Sequence, residues 1–292
     1  MSQLSHSIRR WLKPITKITI FSMLCIVSLS LSSVAFAMPT QAPAGEIIYA
    51  VTAGQKLVQF SSADSCTLLS RQKITGLQSD EKLLGIDFRP ANGQLYGLGS
   101  TGRLYTIDIV TGAATQVGAP FAIALDGSTF GFDFNPTVDR IRVVSNTGQN
   151  LRIHPDTGAV VFVDGPLAYA TTDVNAGTSA SVSAAAYTNP DNDPATGTVL
   201  YDIDTNLDIL VTQSPPNAGT LNTIGSLGIS SKKPAGFDIS SSGVAYAALQ
   251  TKSGGCGNTE LATIDLATGN ATVVGSIGSP EPIYSLAVQI VP

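Results

Sequence analysis

The sequence is poor in histidine, cysteine and tryptophan, with two, three and one in 292 residues. Much of even that lies at the N-terminus, which has the three parts of a secretory signal. Arg9, Arg10, Lys13 and Lys17 form a basic region, Ile18 to Val34 an apolar run, and Ala35-Phe36-Ala37 a small-residue cleavage site. Cleavage is expected after Ala37, so 1–37 is read as signal peptide and 38–45, "MPTQAPAG", as a linker. The rival reading is an uncleaved membrane anchor, because the apolar run is long for a signal. Trp11, His6 and Cys25 all leave with the signal.

What remains excludes several chemistries. His154 is then the sole histidine, and a Ser-His-Asp or Cys-His arrangement needs one beside its nucleophile. His154, Cys66 and Cys256 have no zinc-ligand spacing. Basic residues are scarce: 12 against 21 acidic, a net charge of −9, with no basic block. That balance argues against nucleic acid and, once the signal is removed, against a membrane as partners. Two cysteines in an oxidising compartment make Cys66–Cys256 a candidate disulfide, with two free buried thiols as the alternative.

No stretch reads convincingly as an amphipathic helix. Short Val/Ile/Leu/Tyr runs alternate with Gly, Asn, Asp, Thr and Pro, the pattern of many short antiparallel strands. The runs repeat. "GIDFRPANGQLYGLGSTGRLYTIDIVTGAATQVG" (85–118) lies without a gap over "GFDFNPTVDRIRVVSNTGQNLRIHPDTGAVVFVD" (131–164) at an offset of 46. Asp87, Phe88, Pro90, both Thr-Gly pairs and Ile107 each meet their own type. "GFDI" (236–239) and "TIDLATGNATVVG" (263–275) repeat the opening and the end, and "SVSAAAYTNP" (181–190) opens a further copy. The N-terminal "EIIYAVTAGQKLVQFSSADS" lacks a first strand, and the C-terminal "PIYSLAVQI" is a first strand with nothing after it.

A unit of this length with about four strands is a propeller blade, and a unit split between the termini closes a ring. The expectation is all-β: one β-propeller over 46–291 with five four-stranded blades. The blades are 46–75 plus 282–290, 83–118, 129–164, 181–225 and 234–275, the C-terminal strand pairing into the N-terminal blade. Six blades, with a degenerate one in 165–181, and a pair of β-sandwiches are the alternatives.

Asp87, Asp133 and Asp238 recur between apolar neighbours in the first strand. A buried carboxylate must be hydrogen-bonded, and a residue repeated in several blades usually meets a need of each. They are read as acceptors of backbone N–H bonds, the rival being a carboxylate ring holding a cation. Asp108, Asp265 and His154 share one turn slot before Thr-Gly, so His154 reads as a turn residue.

Propeller ligands generally sit on the face carrying blade-to-blade connections and strand-2/strand-3 hairpins. That places Asp126, Asn146, Tyr169, Asp173, Asn175, Asp202 and Asp204 as binding candidates, Tyr169 as a stacking surface. Asp173 and Asn175, in the long connection 165–180, are also weak metal candidates. Arg140 and Arg142 point to one face of a second strand and break the repeat. They are read as ion-paired to a neighbouring blade or as contacts for an anion or sugar. Cys66 and Cys256 fall on opposite faces, so their bridge requires the "GGCG" insertion to fold down the outer edge.

At "FGFDFNPTVDRIRVVSNTGQNLRIHPDTG" (130–158), "DVNAGT" (173–178) and "AAAYTN" (184–189) the chain resembles the bacterial domain of unknown function 4394 family. Its members are exported, propeller-like repeat proteins with no assigned activity. The resemblance implies a secreted β protein and supplies no catalytic residues. The leading expectation is an exported monomeric binding or scaffold protein, periplasmic or extracellular, with a protein or glycan partner. No cofactor is predicted, and calcium is left open. The alternatives are a carboxylate- or calcium-dependent hydrolase or lyase on a sugar or lactone, and a structural envelope or matrix protein.

Overall fold

The computed structural model describes residues 45–231, 236–251 and 255–290. The signal segment, the linker up to residue 44, positions 234–235 and 252–254 of the last blade, and residue 291 lie outside them. The described residues form five sheets, each with four antiparallel strands ranked from the axis to the rim. The innermost strands are Ile283–Val288, Leu83–Phe88, Phe130–Asn135, Val182–Tyr187 and Gly236–Ile239, for blades 1 to 5. Ile283–Val288 pairs with Ile47–Thr52, with Ile48 opposite Val288, so the C-terminal strand closes the ring inside the N-terminal blade.

The hydrophobic core lies in the five seams between blades. Alternate side chains of one strand go to opposite seams: Ile48 and Ala50 pack against blade 5, Tyr49 and Val51 against blade 2. This is why the inner strands are buried at nearly every position, not at every second one. The repeated aromatics meet across seams. Tyr49 packs edge-on to Phe88, and Tyr96 to Phe134, at 5.6 and 5.2 Å between centroids. The repeated glycine two before each aspartate has a packing cause as well. A Cβ on Gly131 would lie 2.6 Å from that of Ala185 in the next blade.

The five four-stranded blades carry one addition, and one expectation is corrected. Blade 4 has five strands, because Ala168–Tyr169 adds in parallel to the outer edge of Thr220–Ser226. The long connection is therefore partly sheet, and it hides no sixth blade. The opposite-face objection to the disulfide fails. Cys66 and Cys256 are bridged, with Cα atoms 5.9 Å apart. The exit of each outer strand lies against the strand-3/strand-4 turn of the next blade. Thr75 bridges to Ala113, and the Gly278 amide donates to the Ser65 carbonyl at 2.9 Å. The two faces thus meet at the rim, where the insertion of blade 5 reaches Cys66.

Candidate functional site

The inner strands bring five backbone amides to the axis, one from each blade: Phe88, Phe134, Tyr187, Ile239 and Val288. Three aspartates accept from all five. Asp87 takes the Phe88 amide at 2.7 Å and the Phe134 amide of blade 3 at 2.8 Å. Asp133 takes the Tyr187 amide of blade 4 at 3.0 Å. Asp238 takes the Ile239 and Val288 amides, both at 2.6 Å. Blades 1 and 4 carry Ala287 and Ala186 in the aspartate slot, so Asp87 and Asp238 each serve the amide of the following residue as well as one across a seam. Five amides thus occupy five of six oxygens, and Asp133 Oδ2 is left over.

The three carboxylates each place an oxygen within 4.8 Å of the others, and their exposures are 5, 3 and 7 %. Burial, and then the charge of Asp238, raise Asp87 well above the usual carboxylate range. Burial, and then Asp87 and Asp238, do the same for Asp133. Burial pushes Asp238 up to about 6. Burial and mutual repulsion favour protonation within the trio, and Asp133 Oδ2 is the oxygen that accepts no amide. The cavity beside them measures about 10 Å³, room for about one water. General acid–base work on a sugar needs carboxyls that can reach the substrate, and these are enclosed and engaged by the backbone. A calcium ion takes six to eight oxygens, where this trio has one that accepts no amide.

The sequence-predicted candidates do not converge on one place. Asn146 Oδ1 accepts the Ser128 and Thr129 amides. Asp173 accepts the Thr223 amide and hydroxyl and the Asn175 amide, while Asn175 donates to the Thr223 hydroxyl. Asp204 accepts the Ser181, Asn206 and Leu207 amides. Tyr169 is buried, its hydroxyl donating to Asp204 at 2.7 Å, so it offers no stacking surface. Asp126 is exposed. These are loop-fixing contacts. His154 behaves as its slot implies: Nδ1 accepts the Asp156 amide at 3.2 Å, and Gly158 beyond it has φ +67°.

Asp202 differs from them all. It is fully buried between blades 3 and 4, neither oxygen has a hydrogen-bond partner, and burial pushes its carboxyl up to about 8 against the pull of Arg142. Arg142 itself is 2 % exposed. It donates to Asp164 at 2.6 Å, to Asn150 and Asn217 at 2.8 Å each, and to the Tyr187 hydroxyl at 3.2 Å. In the preceding seam Arg89 grips Asp139 through two nitrogens and reaches Asp156 at 2.5 Å. The residue-by-residue reading did not pair these groups. The signal was there: Arg89 stands where blade 3 has Asn135, and Asp164 where blade 2 has Gly118.

Three cavities lie at the ends of the channel strands among the described residues, one of about 500 Å³ lined by Gly45, Glu46, Ile47, Ser241, Ser242 and Gln289. On the loop-rich face, Leu84, Ser128, Thr129, Phe130 and Tyr284 line one of about 220 Å³. On the other face, Asn135, Val138, Arg140, Arg142, Arg152, Tyr187, Pro216 and Asn217 line one of about 130 Å³.

Fold and axis together define a five-bladed β-propeller whose ring is tied at its centre by shared carboxylates. The family described as Domain of unknown function (DUF4394) matches residues 56–287, and the chain belongs to it. No curated protein matches. Among solved structures, a structural-genomics protein of unknown function from Bacteroides thetaiotaomicron VPI-5482 is similar at 16 % identity and TM-score 0.46, covering 82 % of this chain and 61 % of its own. A GH43 glycoside hydrolase with an engineered active site is similar at 11 % identity and TM-score 0.50, over 85 % and 53 %. A chain of a nidogen/laminin complex gives 12 %, 0.48, and 84 % and 98 %. The chain thus spans about three fifths of the first and half of the second. At these identities the likeness concerns the fold alone.

Proposed function

We propose that the protein is an exported, non-enzymatic binding or scaffold module that takes a neutral glycan at the channel mouth on its loop-rich face. One observation carries this reading. The mouth cavity combines an aromatic ring, Tyr284, with the apolar Leu84 and Phe130 and the hydroxyl-bearing Ser128 and Thr129, and its lining has no titratable acid or base beyond the tyrosine. An apolar wall with few polar groups is the usual make-up of a ligand site, and a tyrosine offers a flat face with a polar tip. The volume of about 220 Å³ suits one sugar ring.

Export rests on the basic, apolar and Ala-Phe-Ala segments of residues 1–37, and the Cys66–Cys256 bridge agrees with an oxidising compartment. Periplasm and cell exterior both satisfy this, and a monomer is the expected state. The test is titration with a panel of neutral oligosaccharides, using the protein and Tyr284→Ala. Saturable binding that weakens about tenfold or more in the variant is expected, from loss of a stacked ring. Absence of any neutral-glycan binding, or binding indifferent to Tyr284, contradicts the reading.

A further inference from the structure

We propose that the cavity between blades 3 and 4, on the face opposite the loop-rich mouth, is a binding site for a small oxyanion: a carboxylate, sulfate or phosphate group. Three guanidinium groups line it, those of Arg140, Arg142 and Arg152. One carboxylate serves two of them. Asp164 Oδ2 accepts from Arg142 at 2.6 Å and from Arg152 at 2.7 Å, and its Oδ1 accepts from Arg152 at 2.9 Å. The remaining contacts of Arg142 are to neutral groups, the amide oxygens of Asn150 and Asn217 and the Tyr187 hydroxyl.

Arg140 has no carboxylate partner among the described residues. Its Nη1 donates to the carbonyls of Asp139 at 2.7 Å and Val138 at 3.4 Å. The acids nearest to it are engaged elsewhere: Asp139 and Asp156 both bind Arg89. Asp202, the carboxyl behind Arg142, makes no hydrogen bond to it and does not line the cavity. The lining therefore holds three arginines and no acid, and the one carboxylate bound to them is Asp164, in a chain that is acidic overall.

Arg142 is almost wholly withdrawn from water and shares its one carboxylate, Asp164, with Arg152, which leaves Arg140 without a counter-charge. Arginine forks match planar and tetrahedral oxyanions through paired N–H bonds. The side-chain nitrogen of Asn217 and the Tyr187 hydroxyl stand in the same lining as further donors. About 130 Å³ suits the anionic group itself with little of what bears it. All three arginines lie in blade 3, and blade 2 has Gln94, Tyr96 and Thr106 in their slots. They answer no need that the blades share.

The test is calorimetric titration with sodium sulfate, phosphate, acetate and galacturonate at constant ionic strength set by chloride. Saturable binding of at least one is expected, with Arg140→Ala weakening it roughly tenfold or more, the loss of a charge-assisted bond. Arg140→Lys keeps part of the affinity. Val138→Glu, at a position 55 % exposed, sets a rival carboxylate at the rim and is also expected to abolish binding without unfolding the chain. Preference for galacturonate assigns the anion to a sugar acid, and equal binding of the inorganic ions assigns it to a free ion. Lack of saturable binding by all four, or unchanged affinity in both Arg140→Ala and Val138→Glu, overturns the proposal. Neither result bears on the Tyr284 mouth at the other end of the strands.

Discussion

At the axis one residue type meets five backbone amides, by carboxylates of Asp87, Asp133 and Asp238. Away from these amides the seams are tied in different ways. A disulfide joins blades 5 and 1, Arg89 joins blade 2 to Asp139 and Asp156 of blade 3, and Arg142 joins blade 3 to Asn217 and Tyr187 of blade 4. The difference separates two kinds of charged residue. Those that recur from blade to blade satisfy the backbone of the ring. Those that break the recurrence are free to gather something particular to one seam, and three of them surround a cavity.

Breaking the rim at its covalent tie should have the largest effect. The Cys66–Cys256 bridge spans 190 residues, so Cys66→Ser together with Cys256→Ser is expected to lower unfolding free energy by roughly 3–5 kcal/mol. The axis still closes the ring in that variant, so urea melts should show a native fold with a lower midpoint. Loss of the folded state altogether would mean that the axial bonds do not suffice to hold the ring.

Asp202 sharpens the comparison in the other direction, as a seam carboxyl with no backbone amide to serve. Its folded pKa of about 8 lies above the unfolded value. Stability associated with its proton is complete below the unfolded carboxylate range and falls as pH rises toward 8. Asp202→Asn is therefore expected to stabilise the protein at pH 7 by up to a few kcal/mol, since each tenfold change in a protonation equilibrium is worth about 1.4 kcal/mol. The gain should fade near pH 4. A gain that does not vary with pH would place the cause elsewhere.

The ring itself was legible in the sequence because its cause is periodic. Split terminal units imply closure, and Asp between apolar neighbours implies an amide acceptor. His154 was readable from its Asp-equivalent slot. The seams were harder, since their pairs lie far apart along the chain and only the superposition of blades brings them together. Arg89 and Asp139 are 50 residues apart. Tyr169 misled because Ala168–Tyr169 is too short a strand to show a period, and the strand pairing that buries it comes from residue 220 onward. Asp202 was placed on a loop because a turn follows, whereas the strand runs on to Asp204 and leaves it mid-sheet.

The central claim is that the axial carboxylates exist for the amides, with one oxygen over. Urea melts of Asp87→Asn and Asp133→Asn at pH 7 test it most directly. An asparagine at 87 can accept only one of two amides and sets its own NH₂ against the other, so a loss of roughly 2–4 kcal/mol is expected. At 133 the NH₂ takes the place of the unpartnered Oδ2 and Tyr187 keeps its acceptor, so the change should stay within about 1 kcal/mol of zero. Equal losses in the two variants, or the larger loss at 133, would contradict the account.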